Sequence, residues 1–86
     1  MVKVADSALE YLRRASVGIV EPPNACLRMK IGVKGPQLKL DEARPGDVVV
    51  DDDGRPLLAV DAGTAEQVVG QTLVYDENRL QLALAE

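Results

Sequence analysis

The spacing of apolar residues follows two different periods along the chain. The first, near the N-terminus, is the period of an α-helix. Between residues 6 and 15 the apolar residues recur every three or four positions, as in an amphipathic helix. The positions on its apolar face are Ala8, Leu12 and Ala15. Ser7 and Glu10 have the S-x-x-E spacing of a capping box, which predicts a helix start capped by Asp6 or Ser7. Gly18 is expected to end the helix, and the prolines at 22–23 exclude helix from the loop that follows.

After that loop the period falls to two, which predicts a strand with one buried face. The residues expected on the buried face are Leu27, Met29, Ile31 and Val33, and those on the polar face are Arg28, Lys30, Gly32 and Lys34. Gly35-Pro36 is expected to interrupt the strand. Leu38 and Leu40 then resume the alternation in a second, short strand.

The rest of the chain alternates short apolar runs with turn residues. The predicted elements are a turn at 43–47, strands at 48–50 and 57–60 joined around Asp53-Gly54, a short helix at 62–69 with Val68 and Val69 facing inward, and a terminal hairpin of 73–75 and 80–84 with its turn at 76–78. This order predicts an α+β, β-rich domain of mostly short antiparallel strands with an N-terminal helix and a second short helix. Residues 1–86 are expected to form a single domain.

Composition narrows the functions open to such a domain. The chain has no Phe or Trp, so its core must consist of aliphatic side chains. Its net charge is −4 and its ten basic residues are scattered, which argues against nucleic-acid binding. No apolar run approaches the length of about 20 residues that spans a bilayer, and no signal-peptide core is present. A single Cys forms no internal disulfide, so we expect a cytoplasmic protein.

The order of several segments resembles that of the HesB-like, A-type (IscA-like) iron–sulfur cluster carriers. The segments that carry the resemblance are Val4–Ala8 with Leu12-Arg13-Arg14, Leu27–Gly35, Arg44–Asp47, Asp53-Gly54, Leu58–Asp61 and Gly70–Tyr75. The resemblance covers the chain up to about residue 77. It implies a compact β-rich fold, and a family whose members bind iron or an iron–sulfur cluster between subunits and pass it to other proteins.

The ligand positions that the resemblance implies are not occupied by cysteines in this chain. The family holds its cluster with one Cys in a glycine-rich loop after the central strand and with a Cys-Gly-Cys near the C-terminus. Here Gly35 is followed at once by Pro36, and the chain ends Leu84-Ala85-Glu86. Clusters are held by four thiolates, or by thiolates and His, whereas this chain has one Cys and no His. We therefore expect a degenerate member with no cofactor, no metal ligands and no catalytic residues.

Cys26 is the one residue whose chemistry leaves two interpretations open. The first is a small, partly buried hydrophobe, since a free Cys is commonly buried. The second is a redox-sensitive thiol, or half of an intersubunit metal site, with its pKa lowered by Arg28 and Lys30.

Three further motifs have a structural and a functional interpretation. Asp51–Gly54 lacks the ligand spacing of a calcium loop and is expected to be a hairpin turn. Gly32–Gly35 is too short for a phosphate loop and is expected to be a strand end. The basic stripe predicted on the polar face is Arg28, Lys30, Lys34 and Lys39, which is either a solvated face or a docking patch for an acidic partner protein.

The sequence therefore favours a non-catalytic, cluster-free relative of the A-type carriers that acts through protein–protein contacts. Its expected partners are iron–sulfur assembly components or a second copy, since the strand with Leu80, Leu82 and Leu84 is expected at a sheet edge. Two alternatives stay open. One is an iron or cluster binder that uses Cys26 across a dimer, and the other is a structural or regulatory module unrelated to iron. With no His and no nucleophile motif, enzymatic activity is not expected.

Overall fold

Residues 2–17 and 25–84 are described by the computed structural model, and they form two helices and seven strands. In chain order these are β1 (Lys3–Val4), α1 (Asp6–Ala15), β2 (Ala25–Gly32), β3 (Gly35–Glu42), β4 (Val48–Asp52), β5 (Arg55–Val60), α2 (Ala62–Gln67), β6 (Gln71–Asp76) and β7 (Arg79–Leu84). The strands form a four-stranded sheet of order β3-β2-β5-β4 and a three-stranded sheet of order β1-β6-β7. The pairs β2–β5 and β1–β6 are parallel and the other three pairs are antiparallel. The predicted α+β, β-rich fold class is confirmed.

The core lies where α1 meets the inner faces of both sheets, and it is aliphatic as the composition predicts. Its buried members are Val2, Ala8, Leu12, Leu27, Met29, Leu57, Leu58, Val60, Ala65, Val68 and Leu73. Within the described residues no helix combines the length and the apolar character that a membrane crossing requires.

The start of α1 differs from the predicted capping box. The helix begins at Asp6 with Ala5 as its N-cap residue, and no side chain caps it. Ser7 lies inside the first turn, where its Oγ accepts a hydrogen bond from the backbone N–H of Tyr75 at 3.2 Å. The hydroxyl thus fastens the helix to β6, and stacking of Tyr11 on Tyr75, with ring centroids 4.2 Å apart, reinforces that attachment. The helix ends at Ala15. The predicted stop at Gly18 and the predicted loop with prolines at 22–23 lie outside the described residues.

The hairpin of β2 and β3 is longer than predicted and turns one position earlier. Its turn residues are Val33 and Lys34, and Gly35 and Pro36 begin β3 instead of breaking the strand. Val33 is consequently exposed at the tip and not on the buried face. Ile31, next to the tip, is also partly exposed, because the inner face of the sheet ends near Met29.

The other turns confirm the predicted chemistry. Asp53 and Gly54 join β4 to β5, and Glu77 and Asn78 join β6 to β7, each pair with positive φ as in a type I′ turn. The turn before β4 is closed by a hydrogen bond from the Asp47 N–H to the Arg44 carbonyl, at 3.0 Å.

Helix α2 starts at the side chain of Asp61, whose Oδ1 accepts from the Thr64 N–H at 2.8 Å. The helix ends at Gln67, before the predicted residue 69. Val68 is buried as predicted, but the prediction for Val69 is wrong: its side chain is exposed, because the chain has already left the helical path.

Candidate functional site

Cys26 lies on β2 with its thiol turned away from solvent. Its exposed fraction is 1%, so Cys26 is a small hydrophobe as expected but is buried more completely than the expected partial burial. Burial raises the pKa of the thiol, and the nearby guanidinium of Arg28 opposes only part of that rise. The predicted lowering of this pKa by Arg28 and Lys30 is therefore wrong, since desolvation outweighs the positive charge. A small cavity of about 70 Å³ beside the thiol is lined by Ser16, Ala25, Cys26, Asp52, Arg55, Pro56 and Leu57.

Arg28, predicted to stand in an exposed basic stripe, is buried. Its exposed fraction is 3%, and its guanidinium donates to Asp47 Oδ2 at 2.5 Å and to the Glu42 carbonyl at 3.0 Å. Its Nε lies 3.5 Å from Asp41 Oδ2, although no hydrogen bond satisfies that atom within the described residues. The prediction of an exposed basic stripe is wrong at Arg28, because the loop before β4 folds over the outer face of the sheet. This loop brings Asp47 against the guanidinium.

The carboxylate of Asp47 is the centre of this buried ion pair. Its Oδ2 also accepts from the Arg44 N–H at 2.8 Å. The hydrogen bond from Arg28 is the main cause that holds the pKa of Asp47 below its ordinary value, although burial acts in the opposite direction. A buried ion pair adds little to the free energy of unfolding compared with apolar packing at the same position. Removal of one partner, however, leaves a buried charge uncompensated. The arrangement therefore fixes the loop at residues 43–47 on the sheet and offers no open site.

The acidic run Asp51–Gly54 forms the predicted hairpin turn. Both carboxylate oxygens of Asp52 accept from Arg13, from Nε at 3.0 Å and from Nη2 at 3.1 Å, which ties the hairpin to α1. Across residues 2–17 and 25–84, no group of three or more His, Cys, Asp or Glu side chains is arranged to hold a metal ion.

The β2–β3 turn lies beside β7 of the terminal hairpin. A groove of about 220 Å³ between them is lined by Lys34, Gly35, Pro36, Arg79, Leu80, Gln81 and Leu82. Lys34 of the predicted stripe thus lies next to Arg79, a residue that the sequence pattern did not single out. The pairing of a turn with a strand more than 40 positions away leaves no signal in a single sequence.

The remaining lysines of the stripe stay on the surface. Lys30 and Lys39 are both exposed, on β2 and β3. In the ladder Lys30 pairs with Gln37, and Lys39 pairs with the buried Arg28. Two neighbouring exposed lysines fit the interpretation as a solvated face, and they do not form a continuous basic surface.

Comparison with known proteins gives similarity of fold only. No family model matches the sequence, and no curated protein matches it. Among solved structures, the chain is similar to a protein from Aquifex aeolicus determined by solution NMR, with 24% identity and a TM-score of 0.62, over 99% of this chain and 90% of that one. It is also similar to IscA with a 2Fe–2S cluster, with 18% identity and a TM-score of 0.46, over 95% of this chain and 78% of that one. The first similarity shows a shared fold, and the second is too distant to support an inference about this chain.

Proposed function

We propose that this chain is a non-catalytic protein-binding domain on a HesB-like scaffold, without an iron–sulfur cluster of its own. The observation that carries the proposal is the position of Cys26. The chain has one thiol and no imidazole, and that thiol is buried with its pKa raised. Cluster ligands must be thiolates or imidazoles that reach the metal.

A dimer does not remove this difficulty. Two copies would supply two thiols, each covered by its own subunit and each favouring the protonated form. This supports the cluster-free proposal over an iron or cluster binder that uses Cys26 across a dimer.

The protein-binding part of the proposal is supported by apolar side chains that the fold leaves uncovered. Val33 and Ile31 lie at the tip of the β2–β3 hairpin, and both are exposed. Leu40, further along β3, is exposed as well. Contiguous exposed apolar side chains mark contact surfaces, and Ile31 and Val33 lie two positions apart at the hairpin tip. Iron–sulfur assembly components are the first partners to test, since the order of segments resembles that of the carriers.

Anaerobic purification tests the cluster-free part. Iron, acid-labile sulfide and the visible absorption spectrum would be measured before and after attempted cluster reconstitution, with Cys26→Ala as the matched variant. We expect no stoichiometric iron and no absorption band in either protein. A stable chromophore that is present in the parent protein and lost in Cys26→Ala would overturn the proposal in favour of a cluster bound across a dimer.

Cross-linking with affinity capture tests the protein-binding part. We expect capture of an assembly component by the parent protein, loss of capture in Val33→Asp, and retention in Val69→Asp, which places the same charge at another exposed valine. Capture that both variants retain would exclude the hairpin tip as the contact. Recovery of no assembly component would remove the link to iron.

A further inference from the structure

In the part of the chain that the structure describes, strand β7 has a free edge, and the direction of its backbone groups follows from the ladder. In the adjacent strand β6, the Leu73 carbonyl accepts from the Ala5 N–H and the Tyr75 N–H donates to Ser7, so these two residues point away from β7. Leu82 and Leu80 lie opposite them. Because backbone groups alternate in direction along an antiparallel pair, the N–H and C=O groups of Leu80, Leu82 and Leu84 point away from β6. No strand among the described residues pairs with them.

The other sheet edges are protected in ways that β7 is not. Edge strand β3 carries Pro36, which has no N–H, and three charged residues, Lys39, Asp41 and Glu42. Edge strand β4 carries two aspartates and a register shift after Val50, and β1 has two residues only. Charges, proline, bulges and shortness are the usual means of preventing strand addition. Strand β7 is six residues long, and its one charged residue is Arg79 at its start.

The groove beside the β2–β3 turn runs along this edge. Four consecutive residues of β7, at positions 79–82, line it. Successive side chains of a strand point to opposite faces, so a groove that contacts four in a row follows the edge of the strand and not one face. The opposite wall is the segment from Lys34 to Pro36.

The charge of the groove is opposite in sign to that of the whole chain. Lys34 and Arg79 are its charged lining residues, and no acidic residue lines it, although the net charge of the chain is −4. Arg79 lies opposite Asp76 in the ladder, but Asp76 Oδ1 accepts from the Glu77 N–H at 3.0 Å. Within the described part of the chain, no ion pair joins Lys34 or Arg79 to a carboxylate.

We propose that this groove binds an extended, acidic segment of a partner protein, which adds as a strand along the free edge of β7. The backbone groups of Leu80 and Leu82 provide hydrogen bonds for the added strand, as in other β-strand additions. Lys34 and Arg79 select acidic side chains of the added strand. The inference rests on the proposed function, and it names the surface and the chemistry of the partner.

A single extended segment suits the groove better than a second folded copy. The β2–β3 turn stands as a wall beside the edge of β7, so an incoming strand must fit between the two. A second copy would bring its whole sheet with its own β7. It would also bring an identical pair of cations, and like charges oppose that approach.

The test uses the full chain and a capped, fluorescein-labelled peptide of about eight residues that alternates valine with glutamate. Fluorescence anisotropy gives its affinity, and a version with lysine in place of glutamate is the peptide control. We expect binding of the glutamate peptide only, weakened by salt. The double variant Lys34→Glu with Arg79→Glu should bind about tenfold more weakly or worse. Lys3→Glu, on the opposite edge of the same sheet, should bind as the parent protein does.

Amide NMR of the labelled protein locates the bound peptide. Chemical-shift changes and slower amide exchange at Leu80, Leu82 and Leu84 are expected on addition of the glutamate peptide. Equal affinity for both peptides, or shift changes confined to another surface, would overturn the proposal. A concentration-dependent dimer by analytical ultracentrifugation that protects the same three amides without peptide would replace it with self-pairing.

These outcomes separate this inference from the proposed function. If the peptide fails to bind but cross-linking captures an assembly component through another face, the groove proposal fails and the protein-binding role stands. If the protein holds a cluster through Cys26, the proposed function fails whatever the peptide does.

Discussion

The two sheets of this fold differ in how their outer parts are covered. In the four-stranded sheet the outer face holds a buried arginine beneath a loop, and both edge strands carry charges. In the three-stranded sheet the last strand, β7, carries alternating leucines and an edge that no strand of the described residues pairs with. Charged residues protect both edges of the first sheet, whereas the only charged residue of β7 is Arg79 at its start.

The difference is clearest when an inner strand is compared with an edge strand. Strand β5 has neighbours on both sides, and Leu58, Ala59 and Val60 within it are fully buried. Strand β7 has one neighbour among the described strands, and its final residue, Leu84, is exposed. Binding segments of proteins are commonly regions of low local stability, because changes there disturb the packing of the core little.

Amide hydrogen exchange should give the largest contrast between the sheets. Within residues 2–17 and 25–84, the N–H groups of Leu80, Leu82 and Leu84 have no partner strand, so they should exchange near the rate of an unfolded chain. The amides of β5 exchange only on global opening, which in a domain of this size slows them by about three orders of magnitude or more. NMR-detected exchange measures both sets in one experiment. Strong protection of the β7 edge amides in dilute, unliganded protein would show that the edge is covered.

Removal of the buried guanidinium should give the next largest effect. Arg28→Met leaves the carboxylate of Asp47 buried without its counter-charge, and the free energy of unfolding should fall by about 3 kcal/mol. Urea denaturation monitored by circular dichroism measures this change. The matched control is Lys30→Met, which removes the next exposed cation on the same strand and should stay within about 0.5 kcal/mol of the parent protein.

A double variant checks the reason for that loss. Arg28→Met combined with Asp47→Leu removes both charges, so it should be more stable than Arg28→Met alone. If Arg28→Met costs less than about 1 kcal/mol, the ion pair does not hold the loop against the sheet.

The burial of Arg28 also shows where sequence patterns stop being informative. Alternation along β2 predicts the strand and the inward direction of Leu27 and Met29. It assigns Arg28 to solvent, because it assumes that a strand has one covered face. Strand β2 lies inside its sheet, and the loop that ends at Asp47 covers its second face. That contact joins residues 19 positions apart, and a single sequence does not reveal it.

Sequence patterns predict the structure better where the residues that determine it lie within a few positions of one another. The Asp53-Gly54 pair predicts its hairpin because a type I′ turn requires positive φ at both positions. The S-x-x-E spacing at Ser7 failed because a contact with β6 uses the hydroxyl that the capping box requires. The groove beside β7 was not predicted, since it depends on how the two sheets meet.

Acid titration should show a smaller effect from the same ion pair. Because the folded-state pKa of Asp47 is lowered, its contribution to stability is complete above the unfolded pKa near 4. The contribution is lost as pH falls from there through the folded pKa. Asp47→Asn should therefore flatten the decline of stability with acid, as measured by urea denaturation at several values of pH. Asp53→Asn in the exposed hairpin turn is the control and should keep the parent protein's slope of stability against pH. Equal slopes for all three proteins would argue against the ion pair as an acid-sensitive element.

The smallest effect on stability is expected when the open edge is given the protection that the other edges have. Leu84→Lys places a charge at the exposed end of β7, where the lost leucine makes little contact with the core. The free energy of unfolding should change by no more than about 0.5 kcal/mol, because surface substitutions outside special sites have small effects. Light scattering at high protein concentration should show less association, because a charge on an edge strand opposes strand pairing between molecules. The same substitution at Leu40, on the already charged edge of β3, should change association little. If both variants lower association equally, the two edges do not differ in the way that their sequences indicate.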